Sequence, residues 1–203
     1  MKIYGDVISP FVRMCLVTAH EAGLQGKFEF VKTNVKPDEI NLVLHRLSPV
    51  AKVPVLETDH GHGVHDSRVI IEYLVHTSGH SGLLPHEGVK RFRILTLQAL
   101  AQGGSDAAVS LRYEQAARPA DKRWPEFLER QKQRVLDVVS DLENNWGDAL
   151  GGVNVGSICT ACMLGYLDFR HEALEWRTRA PKLAAFEKDF AARDSMTAWA
   201  IAK

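Results

Sequence analysis

The sequence is short of the features that mark membrane, secreted or nucleic-acid-binding chains. No apolar run approaches the roughly 18 residues of a membrane span, and the opening MKIYGDVISP lacks the uninterrupted apolar stretch of a secretory leader. Three cysteines in 203 residues form no disulfide framework, so a reducing cytoplasm is the expected location. Neither sign of charge is in excess: 25 basic residues face 25 acidic ones, without the basic surplus of a dedicated nucleic-acid binder. Apolar content, by contrast, is ample for one large domain or two small ones.

The first 78 residues mix strand and helix patterns. KIYGDVI alternates as a strand, and FVRMCLVTAHEAGL follows with helical spacing and closes at Gly23. KFEFVKT reads as a second strand, and PDEINLVLHRL as a helix begun by Pro37 with acidic residues in its first turn. VPVLETDHGHGVHD gives two short strands around a turn with Gly61 and Gly63, and DSRVIIEYLVHT is again helical. Strands one and two, joined by a helix, should be parallel. The turn formers of SGHSGLLPHEG break this pattern, and no convincing strand follows.

The rest reads as helix. Val89 to Ala117 is a long helix, with a kink expected at Gly103-Gly104, that stops at Arg118-Pro119. Phe127 to Trp146 is a second long helix. NVGSICTACMLGYLDF is apolar nearly all round, as a buried central helix should be. Two shorter helical segments follow, after Pro181 and around Ser195. Two domains are expected: an α/β domain over residues 1–80 and an all-helical domain over residues 88–203, with the boundary near Gly82.

Ser9 stands where a helix N-cap belongs, with Pro10 at the first helical position. A helix mouth of this kind, with free N–H groups and partial positive charge, also suits an anion, with Ser9 as a hydroxyl donor. Further on, Val53-Pro54 precedes a strand and Asp66-Ser67 opens the third helix.

In order and spacing these features, with the helical domain behind them, resemble the cytosolic glutathione transferases. SPFVR, KVPVL and DSRVIIEYL look most like the small bacterial members with a serine at the active position. The resemblance implies a thioredoxin-like N-terminal domain, an all-helical C-terminal domain, and glutathione as co-substrate with no further cofactor. A detoxification role would follow. It assigns Ser9 to stabilising the glutathione thiolate, and makes Pro54 a cis-proline. It gives Val53 backbone pairing with the cysteinyl part of glutathione, and Lys52 a place near the glycyl carboxylate. Ser67 would meet the γ-glutamyl carboxylate and Asp66 the amine; many members carry Glu there, one methylene longer. Ile8, Phe11 and Arg112 are the residues it implies for a small electrophilic second substrate, with Arg112 otherwise paired to Glu114 or solvent. It also implies a homodimer, built in part on the long helix with Arg91, Arg93 and Phe92, whose Asp106 would approach the partner's site. The other reading of the same likeness is a non-catalytic member that binds a protein partner, in the manner of the stringent-starvation type that contacts RNA polymerase.

Other groupings have blander readings. Cys159 and Cys162 lie three apart on an apolar helix with nothing to complete four zinc ligands, so they read as buried structural thiols. Cys15 lies away from the first helix mouth. His60, His62 and His65 complete no metal shell, since Gly61 and Gly63 mark a turn. Asn154 and Ser157 occupy the positions of a capping box. No metal, membrane or nucleic-acid partner is expected.

Overall fold

The computed structural model describes residues 1–201; residues 202 and 203, the end of the expected helical domain, lie outside the described residues. The chain divides into two compact units. One comprises Met1–Arg91 together with residues 194–201, and the other Phe92–Arg193.

The first unit is a thioredoxin-like α/β layer. Its strands are β1 (Lys2–Gly5), β2 (Glu29–Lys32), β3 (Val55–Glu57) and β4 (Gly63–His65), in the order β2-β1-β3-β4. β1 and β2 are parallel, whereas β3 is antiparallel to both β1 and β4. The helices are α1 (Pro10–Glu21), α2 (Leu42–Leu47) and α3 (Ser67–Ser78). α1 buries every residue from Val12 to Ala19. It approaches β1 closely because Gly5 has no Cβ: one placed there would lie 2.4 Å from Val12 Cγ2.

α2 is shorter than its sequence pattern suggests. The helix does not begin at Pro37, because Asn41 caps it by accepting from the backbone N–H groups of Val43 and Leu44. Residues 36–40 are exposed, and Leu44 alone of α2 is buried. Gly63 is not a turn residue but the first of β4, where a Cβ would lie 2.0 Å from the Leu47 carbonyl oxygen; Gly61 carries the positive φ.

The second unit is helical. α4 (Val89–Ala116) starts in the first unit and runs without a helical break through Gly103-Gly104, where a kink was expected. A Cβ on Gly104 would lie 2.5 Å from Met163 Sδ, so the small residue serves close packing there. After α4 come α5 (Pro125–Asn145), α6 (Gly147–Leu150), α7 (Val155–Arg170), α8 (Trp176–Arg179) and α9 (Pro181–Ala191). α7 is buried from Val155 through Leu164, as its all-round apolar character requires. Its capping box is complete: Asn154 Oδ1 accepts from Ser157 N, and Ser157 Oγ accepts from Asn154 N at 2.9 Å. Glu143 of α5 caps α9 from a distance, accepting from Lys182 N and Leu183 N.

The last helix, α10 (Asp194–Ala198), packs within the first unit. Buried Arg13 of α1 donates Nε to the Trp199 carbonyl at 2.9 Å and Nη2 to the Met196 carbonyl at 3.3 Å. These carbonyls end the α10 segment, where a cation is favoured. Trp199 lies against Phe28 and Phe30, with centroids 6.2 and 5.4 Å away.

Candidate functional site

The sheet register brings three loops to one end of the first unit. Tyr4 of β1 pairs with Val55 of β3, and Val55 with His65 of β4. Just beyond that row, β1 runs out towards Ser9, β3 is preceded by Val53-Pro54, and β4 leads into Asp66-Ser67. The N-termini of α1 and α3, both 12 residues long, therefore open at this same end. The positive ends of two helix dipoles thus lie at that end, an electrostatic setting for anions.

Ser9 is the N-cap of α1, in extended conformation. Its Oγ accepts from Val12 N at 3.5 Å, a long contact that engages the hydroxyl weakly. The turn before it is shaped by Asp6, which accepts from Ile8 N through Oδ1 and from Ser9 N through its carbonyl, both at 2.9 Å. Asp6 had no motif to announce it. Ile8 is exposed and Phe11 half-buried on either side of Ser9.

The Val53-Pro54 peptide bond is cis. Val53 and Ala51 pack against the buried cluster of Tyr4, Leu44 and Val55, which fixes the loop from below. Tyr4 donates its hydroxyl to Glu57, and that bond, with burial, pushes its pKa up to about 12. Ala51 has a φ of 50°, in the left-handed region, and Lys52 beside it is exposed.

Asp66 has a φ of 67° and a ψ of 127°, outside the comfortable regions for a side-chain-bearing residue. Its Oδ1 caps α3 by accepting from Arg68 N at 2.8 Å, and Oδ2 takes no partner among the described residues. Ser67 is buried, and the Cys15 thiol contacts its carbonyl at 3.8 Å. Cys15 thus links α1 to α3 beneath the two helix mouths, a role its sequence position did not reveal.

The remaining candidates belong to the second unit or to α4. Arg112 is half-buried on α4; the expected pairing with Glu114 is not formed, because Glu114 accepts from Arg118 Nε and Trp124 N. That backbone bond, followed by the arginine, holds the Glu114 carboxyl below its usual pKa. Asp106 is exposed. Arg91 pairs with Glu72 and donates to the Pro85 carbonyl; Arg93 donates to the Asn145 carbonyl and Asp148, and covers the Trp146 ring at 3.8 Å. Cys159 and Cys162 are fully buried and form no disulfide among the described residues. Among the described residues no group of three histidines, cysteines or acids is placed to hold a metal, and no helix is long and apolar enough to cross a membrane.

Fold and site together define a thioredoxin-like domain and a helical domain, with two helix N-termini and the cis-proline loop at one end of the first. Comparison with known proteins agrees. Residues 8–77 match the profile of the glutathione S-transferase N-terminal domain, and residues 125–188 that of the C-terminal domain. YibF, an uncharacterized GST-like protein of Escherichia coli K12, is 33% identical over 198 residues, 96% of each chain. A glutathione transferase family member from Pseudomonas fluorescens Pf-5, solved with bound glutathione, is 36% identical. It superposes with a TM-score of 0.97 over 100% of this chain and 99% of that one. A structure of a family member from the same strain holds S-(propanoic acid)-glutathione; it is 36% identical, with a TM-score of 0.89 over 98% of this chain and 97% of that one. The chain belongs to the glutathione S-transferase family.

Proposed function

We propose that the chain is a glutathione transferase that binds glutathione at the open end of its first unit and activates the thiol with Ser9. The carrying observation is the register of β1, β3 and β4, which gathers Ser9, Val53-Pro54 and Asp66-Ser67 at one end. The bound glutathione of the P. fluorescens structure supports the reading.

A free thiol has a pKa of about 8.5, so most of it is protonated at neutral pH, and the thiolate is the nucleophile. The α1 mouth and a hydroxyl donor both favour the charged form. The Ser9 hydroxyl, weakly engaged as a cap, donates to the sulfur and is not itself the nucleophile. Val53 pairs through its backbone with the cysteinyl residue, and Lys52 reaches the glycyl carboxylate. Ser67 and the α3 amides take the γ-glutamyl carboxylate; Asp66 takes the amine through the oxygen not used in capping. The thiolate then attacks an electrophilic carbon, forming a thioether as the leaving group departs with the bonding pair, or attacks the terminal oxygen of a hydroperoxide, where the O–O bond breaks to give the sulfenic acid of glutathione and an alcohol. Ile8 and Phe11 offer apolar contact beside Ser9. The same reading includes a homodimer.

A glutathione-affinity column followed by a panel of electrophiles and hydroperoxides tests this. Retention together with turnover is expected. Absence of retention would point instead to the partner-binding member of the family.

A further inference from the structure

The second unit is hollowed beside α9. A cleft of about 460 Å³ lies between the end of α5, the chain from α6 to the start of α7, and α9. Small-molecule sites occupy about 300–1,000 Å³. Its lining is largely apolar, from Leu142, Leu150, Val153, Leu183, Phe186 and Phe190. Leu183, Phe186 and Phe190 follow one another along α9 over two turns, a strip about 10 Å long, and the two rings lie 5.4 Å apart.

Gly147, Gly151 and Gly152 complete the wall. None of them has a positive φ, so the backbone does not demand glycine there. A Cβ on Gly147 or Gly152 would meet nothing within 4 Å. Gly63, Gly104 and Gly156 are the contrast, since a Cβ on any of them would collide with a neighbour. Packing requires glycine at those three positions, whereas Gly147 and Gly152 leave room that the fold itself does not use.

The polar groups of the cleft are mainly donors without acceptors. The backbone N–H groups of Gly152 and Val153 have no partner among the described residues, and neither has the exposed ammonium of Lys182. Of the acids, Glu143 is committed, because it accepts from Lys182 N at 3.2 Å and Leu183 N at 2.8 Å. Asp189 stands two turns along α9 from Lys182, about 10 Å away on the axis, and leaves the Lys182 end clear for an anion. Arg193 lies over the Phe190 ring at 5.6 Å.

We propose that this cleft binds a medium-chain aliphatic carboxylate, with the chain on the Leu183–Phe190 strip and the Lys182 ammonium holding the carboxylate. The N–H groups of Gly152 and Val153 add donors along the wall, and a hydrogen bond to a charged acceptor is the stronger kind. An extended chain follows the strip, and a small inorganic anion would leave it uncovered. The cleft shares no residue with the glutathione reading or with Ile8, Phe11 and Arg112, so the proposal stands independently of both.

The test is calorimetric titration of the full chain with octanoate, octan-1-ol and acetate, with and without S-hexylglutathione. Octanoate should bind once per chain and keep its affinity in the presence of S-hexylglutathione. Octan-1-ol, which lacks the charge, should bind about tenfold more weakly, and acetate, which lacks the chain, should not bind. Lys182→Gln should weaken octanoate about tenfold, the scale of one hydrogen bond to a charged group. Gly152→Leu should fill the cleft and abolish octanoate binding at an unchanged melting temperature. Should that variant unfold, Gly147→Leu must do the same. No octanoate binding, equal binding of octan-1-ol, displacement by S-hexylglutathione, or wild-type affinity in the folded variants would each overturn the proposal.

Discussion

Asp66 carries two demands at once. It caps α3 through one carboxylate oxygen, and it holds a φ of 67° that a side-chain-bearing residue adopts at a cost of about 1–3 kcal/mol. Such a cost persists where surrounding structure and function require it. Asp66→Asn separates the demands, because asparagine caps about as well as aspartate and tolerates positive φ. The melting temperature should hold, while glutathione affinity drops about ten- to hundredfold, the scale of a lost hydrogen bond to a charged group. Wild-type affinity in calorimetry would remove Asp66 from the γ-glutamyl contact. Ser9→Ala should raise the apparent pKa of the bound thiol, read from thiolate absorbance against pH, with little change in glutathione affinity. An unchanged pKa would leave Ser9 as a cap only. Gly63 shows how a correct signal carries a wrong reason. Glycine near a turn was legible, but the approach of the Leu47 carbonyl depends on where α2 lies, which no local pattern contains. Gly63→Ala should cost about 1–3 kcal/mol in urea unfolding.

Among elements, the helices whose ends carry chemical signals were legible and those set by tertiary packing were less so. α1 begins at Ser9-Pro10, and α7 at Asn154, as their residues indicate. In α2 the apolar spacing from Ile40 onward resembles a helix face, yet Ile40 and Leu42 are exposed and the Asn41 cap decides the start. Within the α7 box, Ser157 takes the place where glutamate or glutamine commonly stands, and both bonds form in a buried setting. Asn154→Ala should therefore cost about 1–2 kcal/mol, measurable as a lower melting temperature. The end of α7, where His171 Nε2 donates to the Ala108 carbonyl of α4, adds a pH dependence. Burial holds the His171 pKa below its usual value, Arg112 and Arg170 add to this, and the Ala108 hydrogen bond opposes it. Between that lowered value and the unfolded value of about 6.5, the unfolded chain binds more protons, so stability falls as pH drops through this window. The slope is at most about 1.4 kcal/mol per pH unit. His171→Gln should flatten it in urea midpoints compared between about pH 7.5 and about pH 5.5; an unchanged slope would assign the dependence to other groups.

At the scale of the whole molecule, the α/β unit followed by helices was legible because strand alternation and helical spacing differ so clearly in period. The return of residues 194–199 to the first unit was not, since a short helix near the end of the chain shows no sign of its neighbours. The proposed homodimer is consistent with apolar side chains left in water: Val69 is 53% exposed, Val89 86% and Phe92 68%. α4, 28 residues long, spans about 42 Å. Light scattering at micromolar concentration should give close to twice 22.6 kDa, and a fully active monomer would rule the dimer out. The late return has a further consequence, for biogenesis. A ribosome delivers Arg13 near the start and the Met196 and Trp199 carbonyls only after the whole second unit has been made. Throughout that interval the guanidinium that these carbonyls hold in a buried site has neither of them available, and the apolar seat of Trp199 on Phe28 and Phe30 stands open. The nascent first unit therefore closes only once residues 194–199 have been made, and products stopped before Asp194 should be the ones that holdase chaperones and proteases capture.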